Sequence, residues 1–269
     1  IAKLVNDKEI KGLVNNIPWY TKVTFSGKNQ LLLVDFDNNM FYFLDPLYNI
    51  VCSHTFPGKP FDVCIVSEDG ENVVAATLPS GKLVQLFSLK DKSITYVKQI
   101  QTKHTCFSIA TYNHEELIIS GFCNNNKFYW SIITMDGKEK SYHEFDGKGA
   151  CQTFVALNAF NTRLYISVYN DNCLHCFGLD GMKHFTFTHH DLKGPGGVSV
   201  DRDDNVYLVG CVSRNIFKLS AAGFLVKIVV NGIKKNPMGI CFDQNGDQFV
   251  LSYIRDAGLS FYQLVDKDE

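Results

Sequence analysis

The sequence predicts an all-β fold, a six-bladed β-propeller, on three observations. Prolines recur at one blade's length, an apolar strand recurs at the same spacing, and the opening segment supplies a strand that the last unit lacks. Pro18 and Pro60 lie 42 residues apart, Pro60 and Pro195 lie 135 apart (three steps of 45), and Pro195 and Pro237 lie 42 apart. The two missing prolines are replaced near His104 and Gln152. The strand series runs QLLLVDF (30–36), NVVAAT (72–77), LIISG (117–121), RLYISV (163–168), NVYLVG (205–210) and QFVLSY (248–253). Measured at Leu33, Val74, Ile118, Tyr165, Tyr207 and Phe249, its steps are 41, 44, 47, 42 and 42 residues. One domain of six blades follows, with approximate spans 17–59, 60–103, 104–149, 150–194, 195–235, and 236–269 completed by 1–12.

Within each unit the pattern is four short strands. Pro60–Ile100 shows it: FDVCIV, a turn at Glu68-Asp69-Gly70, NVVAATL, a turn at Pro79-Ser80-Gly81, KLVQLFSL, then ITYVKQI. These runs are β-branched or aromatic and end at Gly, Asn and Asp clusters, which is strand chemistry. The turns between third and fourth strands recur at Asp136-Gly137, Asp180-Gly181 and Ala222-Gly223. Asp-Gly between apolar runs predicts a hairpin with both central residues at positive φ. No segment of ten residues carries an amphipathic 3.6-residue period, so helices are not expected. The last unit offers MGICFD, QFVLSY and LSFYQLV and then stops, while IAKLVND at the start resembles FLVKIVV at 224–230. Pairing the first strand onto the sixth blade closes the ring and removes two open edges.

Composition excludes several classes. With 26 Lys+Arg against 28 Asp+Glu, the net charge of −2 rules out a uniformly basic nucleic-acid coat and an acidic tail. A chain 45% hydrophobic and 20% charged, with 21 Phe, 12 Tyr and 2 Trp, is not a disordered linker. No run of 18 apolar residues predicts a membrane-spanning helix. The opening IAKLVNDKEI lacks a signal-peptide pattern and an initiator Met, and reads as a piece of something longer. Nine cysteines at irregular spacing predict buried free thiols in a reducing compartment, hence a cytoplasmic location.

The unit PGGVSVDRDDNVYLVGCVSRNIFKLSAAG (195–223) resembles the NHL repeat: Pro-x-Gly-Val-x-Val-Asp, Asn205 before an apolar strand, then Arg214-Asn215-Ile216. The next unit keeps Pro237, Gly239, Asp243 and Asn245-Gly246 and loses the Asn-x-Ile step, and the earlier units keep the period with little of the motif. No Trp-Asp dipeptide marks a WD40 propeller, and Gly196-Gly197 does not repeat as kelch requires. The resemblance implies the C-terminal, substrate-selecting domain of a tripartite-motif ubiquitin ligase, whose target is a protein or an RNA. The RING, B-boxes and coiled coil of that architecture are not in this sequence. No membrane contact, no cofactor and a monomeric propeller are expected.

Blade topology puts inter-blade loops and second-to-third strand loops on one face. They carry nine bases, Lys59, Lys103, Lys127, Lys148, Lys193, Arg214, Lys234, Lys235 and Arg255, against five acids, Asp37, Asp146, Asp171, Asp191 and Asp256, a net of +4. The first-to-second strand turns on the other face hold ten acids (Glu68, Asp69, Glu71, Glu115, Glu116, Asp201, Asp203, Asp204, Asp243, Asp247) against Lys28, Arg163 and Arg202, a net of −7. A basic rim steers phosphates or an acidic peptide. Trp19, Tyr20, Phe61, Phe107 and Phe154, near the starts of first strands, are expected at the channel mouth, where they stack bases or grip side chains.

Other clusters argue for less. Cys173-Leu174-His175-Cys176 lacks a second CxxC, and strand alternation puts its cysteines on opposite faces. His189-His190-Asp191 reads as a solvated loop. Six-bladed lactonases share this architecture and cage a metal at the channel mouth with Glu, Asn and Asp. Here those positions hold Tyr20, Asp62, Phe107, Phe154, Gly197 and Gly239, one carboxylate among six. No catalytic residues and no metal ligands are expected. A metal-dependent hydrolase is the distant alternative.

Overall fold

The computed structural model describes residues 1–10, 17–26, 30–68, 71–90, 93–124 and 126–265, with the side chains of Ser67, Glu68 and Glu71 excepted. Lys28 and Asp69 of the acidic-face tally lie outside these, as do Gly70 of the predicted turn and residues 11–12, 27–29, 69–70, 91–92, 125 and 266–269 of the blade spans.

Six four-stranded antiparallel sheets form the six blades of a propeller. Blade 1 is β2 (Tyr20–Ser26), β3 (Gln30–Asp35), β4 (Met40–Leu44) and β5 (Ile50–Thr55), and blade 2 is β6 (Val63–Glu68), β7 (Glu71–Leu78), β8 (Leu83–Lys90) and β9 (Ser93–Gln101). Blade 3 is β10 (Thr105–Thr111), β11 (Glu116–Asn124), β12 (Lys127–Thr134) and β13 (Glu139–Asp146). Blade 4 is β14 (Thr153–Leu157), β15 (Arg163–Val168), β16 (Cys173–Gly178) and β17 (Lys183–Thr188). Blade 5 is β18 (Pro195–Val200), β19 (Val206–Gly210), β20 (Asn215–Leu219) and β21 (Leu225–Val230). Blade 6 is β22 (Pro237–Phe242), β23 (Gln248–Tyr253) and β24 (Gly258–Leu264), completed by β1 (Ala2–Glu9). β1 pairs with β24 from Ala2↔Leu264 to Glu9↔Gly258, so the closure predicted from IAKLVND is the one observed.

First strands of successive blades touch one another round the axis, and apolar clusters fill the wedges between blades. Hydroxyls on second strands stitch neighbouring blades together. Thr77 Oγ1 donates to the Phe107 carbonyl (2.7 Å), Ser167 Oγ to Gly196 (2.6 Å), and Ser252 Oγ to Tyr20 (3.1 Å) across the closure. Each bond satisfies a carbonyl that would otherwise be stranded in the dry interior.

The glycine turns differ from expectation. Gly137, Gly181 and Gly223 have φ of 85°, 88° and 86°, but Asp136, Asp180 and Ala222 are not at positive φ. Gly137 N bonds to Thr134 O (2.8 Å) and Thr134 N to Lys138 O (2.9 Å), a three-residue loop with the glycine alone left-handed. The register slips by one residue beside it, between Ile132 and Ile133. A type I turn with a bulge fits this twist as well as the two-residue form does.

On the opposite face, several first-to-second strand acids close turns. Asp201, 5% exposed, accepts from the amides of Asp203 and Asn205 (both 2.9 Å), and Asp243 accepts from those of Asp247 and Gln248 (both 3.2 Å). Asn158 does the same with Thr162 and Arg163. These carboxylates serve local folding, so the acidic face is less free than its charge count implies.

Candidate functional site

The inter-blade loops and the second-to-third strand loops share one face, and they interlock there. Lys59 reaches Asp37 (2.9 Å), the Lys148 amide reaches Asp171 (3.0 Å), and the Lys193 amide reaches Ser213 (3.1 Å). Arg214 Nε donates to Asn236 Oδ1 (3.0 Å), and Lys235 reaches Asp256 (2.9 Å). The loops are therefore braced by their own polar groups.

At the centre of this face sits an aromatic floor. Trp19 packs on Phe36 (centroids 4.8 Å), Phe36 on Phe61 (6.0 Å), Phe61 on Phe107 and Phe154 (5.0 and 5.3 Å), and Phe107 on Phe122 (5.8 Å). Trp19, Phe36, Phe107 and Phe122 are half-buried and reachable, whereas Phe61 and Phe154 are sealed beneath them. Tyr20 is a correction to the expected mouth. A register slip between Tyr20 and Lys22 breaks the strand's alternation, and the ring lies wholly buried with Leu33, Tyr42 and Val250. Burial, with the charge of Asp35 and other neighbours, holds the Tyr20 phenol far above its ordinary range. The same kind of slip at Cys106/Ser108 frees Phe107 from the pairing and leaves it half-buried at the mouth.

Trp19 is held from below. The wholly buried Asp35 accepts from the amides of Trp19 (3.2 Å) and Asn38 (3.3 Å) and from Asn38 Nδ2 (2.7 Å). Burial raises the Asp35 carboxyl above its usual range, against the pull of those bonds. Trp19 O accepts from the Phe36 amide (2.9 Å), and Trp19 bridges to Ile254 of blade 6. Among the described residues, the buried Trp19 Nε1 has no hydrogen-bond partner.

The predicted basic rim divides in two. Lys59, Lys127 and Lys235 are tied to Asp37, Asp146 and Asp256 at 2.9, 2.6 and 2.9 Å, with Lys59 also over the Phe36 ring and Lys235 over Tyr253. Lys103 lies over Tyr142, 5.2 Å from its centroid, at the outer edge of the face. Among the described residues, Lys148, Lys193, Arg214, Lys234 and Arg255 form no ion pair, and all five are exposed. They run from the loop between blades 3 and 4 to blade 6, so the usable positive charge is an arc and not a full circle. Arg214 and Arg255 sit at φ of 56° and 55°, where the equivalent loops of blades 1 and 4 place Asn39 and Asn172.

Below the floor, the channel wall holds a charged pair that the sequence reading did not join. Lys22 stands four residues after its blade's proline, as do Cys64, Ser199 and Cys241. Its Nζ is 3.2 Å from Oδ1 of Asp62, which is 1% exposed. Asp62 also accepts from the amides of Val63 (2.7 Å) and Ile109 (3.1 Å) and from Ser108 Oγ (2.6 Å), and Ser108 Oγ accepts from the Val155 amide (2.9 Å). One carboxylate thereby links blades 1, 2, 3 and 4. Burial lowers the Lys22 pKa, the charge of Asp62 raises it, and the second effect prevails.

The nine thiols are unpaired. Cys173 and Cys176 point to opposite faces of β16, into different apolar clusters, as strand alternation requires. Burial pushes their thiols up to about 12 and about 11, which is the state of packing residues and not of nucleophiles. His189, His190 and Asp191 are different: one ligand-type atom from each lies within 4.8 Å of the others. No helix of the described residues is long and apolar enough to cross a membrane.

No protein-family model matches the chain, and no curated protein matches it in sequence. Solved structures do match in shape. Virginiamycin B lyase from Staphylococcus aureus is 17% identical, with 98% of this chain and 100% of that one covered, at a TM-score of 0.69. A catalytically inactive form of that enzyme with quinupristin is 16% identical at the same coverage, with a TM-score of 0.70. A streptogramin B lyase is 14% identical over 97% of this chain and 98% of that chain, with a TM-score of 0.71. At such identities the likeness shows the six-bladed propeller alone.

Proposed function

We propose that this chain is a non-catalytic recognition propeller that grips a macromolecule with its inter-blade loop face. Within that class we read it as an NHL-type, substrate-selecting domain of a tripartite-motif ubiquitin ligase, with a protein as its target. One observation carries the reading. An aromatic floor of Trp19, Phe36, Phe107 and Phe122 lies on the same face as five exposed cations without acidic partners. Aromatics and arginines are the residues that anchor partner surfaces, while a positive arc steers acidic segments toward them. The NHL-like motif at 195–223 favours the ligase context, and the lyase names belong to the solved neighbours.

RNA is the second reading, favoured by the same arc together with ring faces on which bases can stack. The test uses Lys193→Gln, Arg214→Asn, Lys234→Gln and Arg255→Asn together, with Trp19→Ala as a separate variant. Charge reversal at Lys59 or Lys235 is a poorer choice, because it would set like charges against Asp37 or Asp256. Pull-down of a protein partner lost by both variants supports the first reading. Binding to an RNA pool with a log–log salt slope that falls by roughly 0.7 per lost contact supports the second. Partners and RNA binding unchanged in both variants would refute the choice of face.

A further inference from the structure

The loop joining β17 to β18 holds three residues whose ligand atoms converge. His190 Nε2 lies 3.1 Å from Asp191 Oδ2, and His189 Nδ1 lies 3.9 Å from the same oxygen. All three atoms lie within 4.8 Å of one another, and neighbouring ligand atoms of a tetrahedral ion with bonds of about 2.0–2.1 Å stand about 3.3 Å apart, a spacing that rotamer shifts of the two exposed side chains can reach. We propose that His189 Nδ1, His190 Nε2 and Asp191 Oδ2 bind a borderline divalent transition-metal ion such as Zn²⁺, leaving at least one coordination position open.

Three features make this more than a chance meeting of polar side chains. The first is the tautomer of His189. The Asp191 amide donates to His189 Nδ1 (3.1 Å), so this nitrogen is the unprotonated one and its lone pair points at that amide; an unprotonated nitrogen is the form that a metal requires. Metal binding exchanges that weak bond for a coordinate one and leaves the proton on Nε2.

The second feature is rigidity. Leu192 is wholly buried in the apolar cluster between blades 4 and 5, and its amide bonds to His189 O (3.0 Å), closing the turn. Asn215 Nδ2 donates to Asp191 O (3.1 Å). The His189 ring sits edge-on to Phe217 (5.4 Å), stacks on Phe187 (6.4 Å) and contacts the His190 ring at 4.2 Å. Outer contacts of this sort fix ligand orientation and so reduce the ordering cost of coordination.

The third feature is donor type. Two imidazoles and one carboxylate suit Zn²⁺, Co²⁺, Ni²⁺ or Cu²⁺, and not Mg²⁺ or Ca²⁺, which demand oxygen ligands. His190 and Asp191 are exposed on the loop face, so the open position points toward solvent, where water or a donor from a bound partner can fill it.

The test is calorimetric titration of Zn²⁺ into the chelator-treated chain, with Mg²⁺ as the hard-ion control. The expected result is one equivalent of Zn²⁺ bound with no heat from Mg²⁺. His190→Ala and Asp191→Asn should each weaken binding at least ~10-fold, the lower end of the loss caused even by removing an outer partner of a ligand. His114→Ala, which removes another exposed imidazole, should change nothing. Co²⁺ should give d–d absorption without a thiolate charge-transfer band. His190 is 81% exposed, so its replacement leaves the fold intact, checked by an unchanged circular dichroism spectrum. Equal Zn²⁺ affinity in the His189→Ala/His190→Ala/Asp191→Ala variant, or a thiolate band with Co²⁺, would overturn the proposal by moving the ion to other residues.

Discussion

Replacing Asp62 by alanine strips four donors of one acceptor group. Lys22 Nζ (3.2 Å), the Val63 amide (2.7 Å), Ser108 Oγ (2.6 Å) and the Ile109 amide (3.1 Å) would all lose their bond in a site that is 1% exposed. Removing one partner of a buried ion pair costs about 3–5 kcal/mol, because the other charge is left uncompensated. Lys22→Met should cost less, about 1.5–3 kcal/mol, since the carboxylate keeps its three other donors. The double variant should cost no more than Asp62→Ala alone, because methionine asks for no partner in the vacated space. Urea unfolding followed through Trp19 in blade 1 and Trp130 in blade 3 measures each value. Coincident transitions at the two probes license a single free energy. Additive single effects, or an Asp62→Ala loss below about 1 kcal/mol, would refute the claim that this carboxylate is the shared acceptor for donors of blades 1, 2 and 3.

Three further outcomes follow from the same structure. Burial, aided by Lys183, lowers the His175 pKa from 6.5 to about 4. A folded-state pKa below the unfolded one stabilises the protein above pH 6.5, and that stabilisation is lost progressively as the pH falls toward 4. The loss should approach roughly 3 kcal/mol and should flatten in His175→Gln, read by urea midpoints between pH 7 and 4. Gly181→Ala should destabilise by ~1–3 kcal/mol, because φ is +88° and the new Cβ would run into the His143 ring; thermal unfolding reads it. Ser252→Ala strands the Tyr20 carbonyl and the Gly239 amide at the ring closure, and should lower stability by about 1–3 kcal/mol in the same assay.

What could be read from the chain beforehand follows from where the physics is local. Proline spacing and apolar runs report strand order, since each strand's alternation is written in its own residues, and the closure of β1 on β24 was legible because IAKLVND has no blade of its own. Tyr20 was misplaced because one slipped residue after it reverses the inside and outside of the strand. Phe36 and Phe122 were missed because they follow or end second strands with no repeating motif to mark them. Lys22 and Asp62 lie 40 residues apart on different blades, and no pattern within either blade announces their contact. The rim lysines were counted correctly as charges, but Asp37, Asp146 and Asp256 withdraw three of them, which only the loop geometry reveals. His189-His190-Asp191 reads as a solvated loop, and His190 and Asp191 are indeed exposed, but the sequence does not show that their ligand atoms converge. The turn closed by Leu192 is what brings them together.

The most direct test of the recognition face is photo-crosslinking from two positions in extracts of the source cells. A benzophenone residue replaces Phe36 on the aromatic floor, or Asp203 on the opposite face. The account predicts a discrete adduct from position 36 that is competed by excess unmodified protein, lost on adding Arg214→Asn and Arg255→Asn, and absent from position 203. An adduct formed from position 203 and not from position 36 would contradict it.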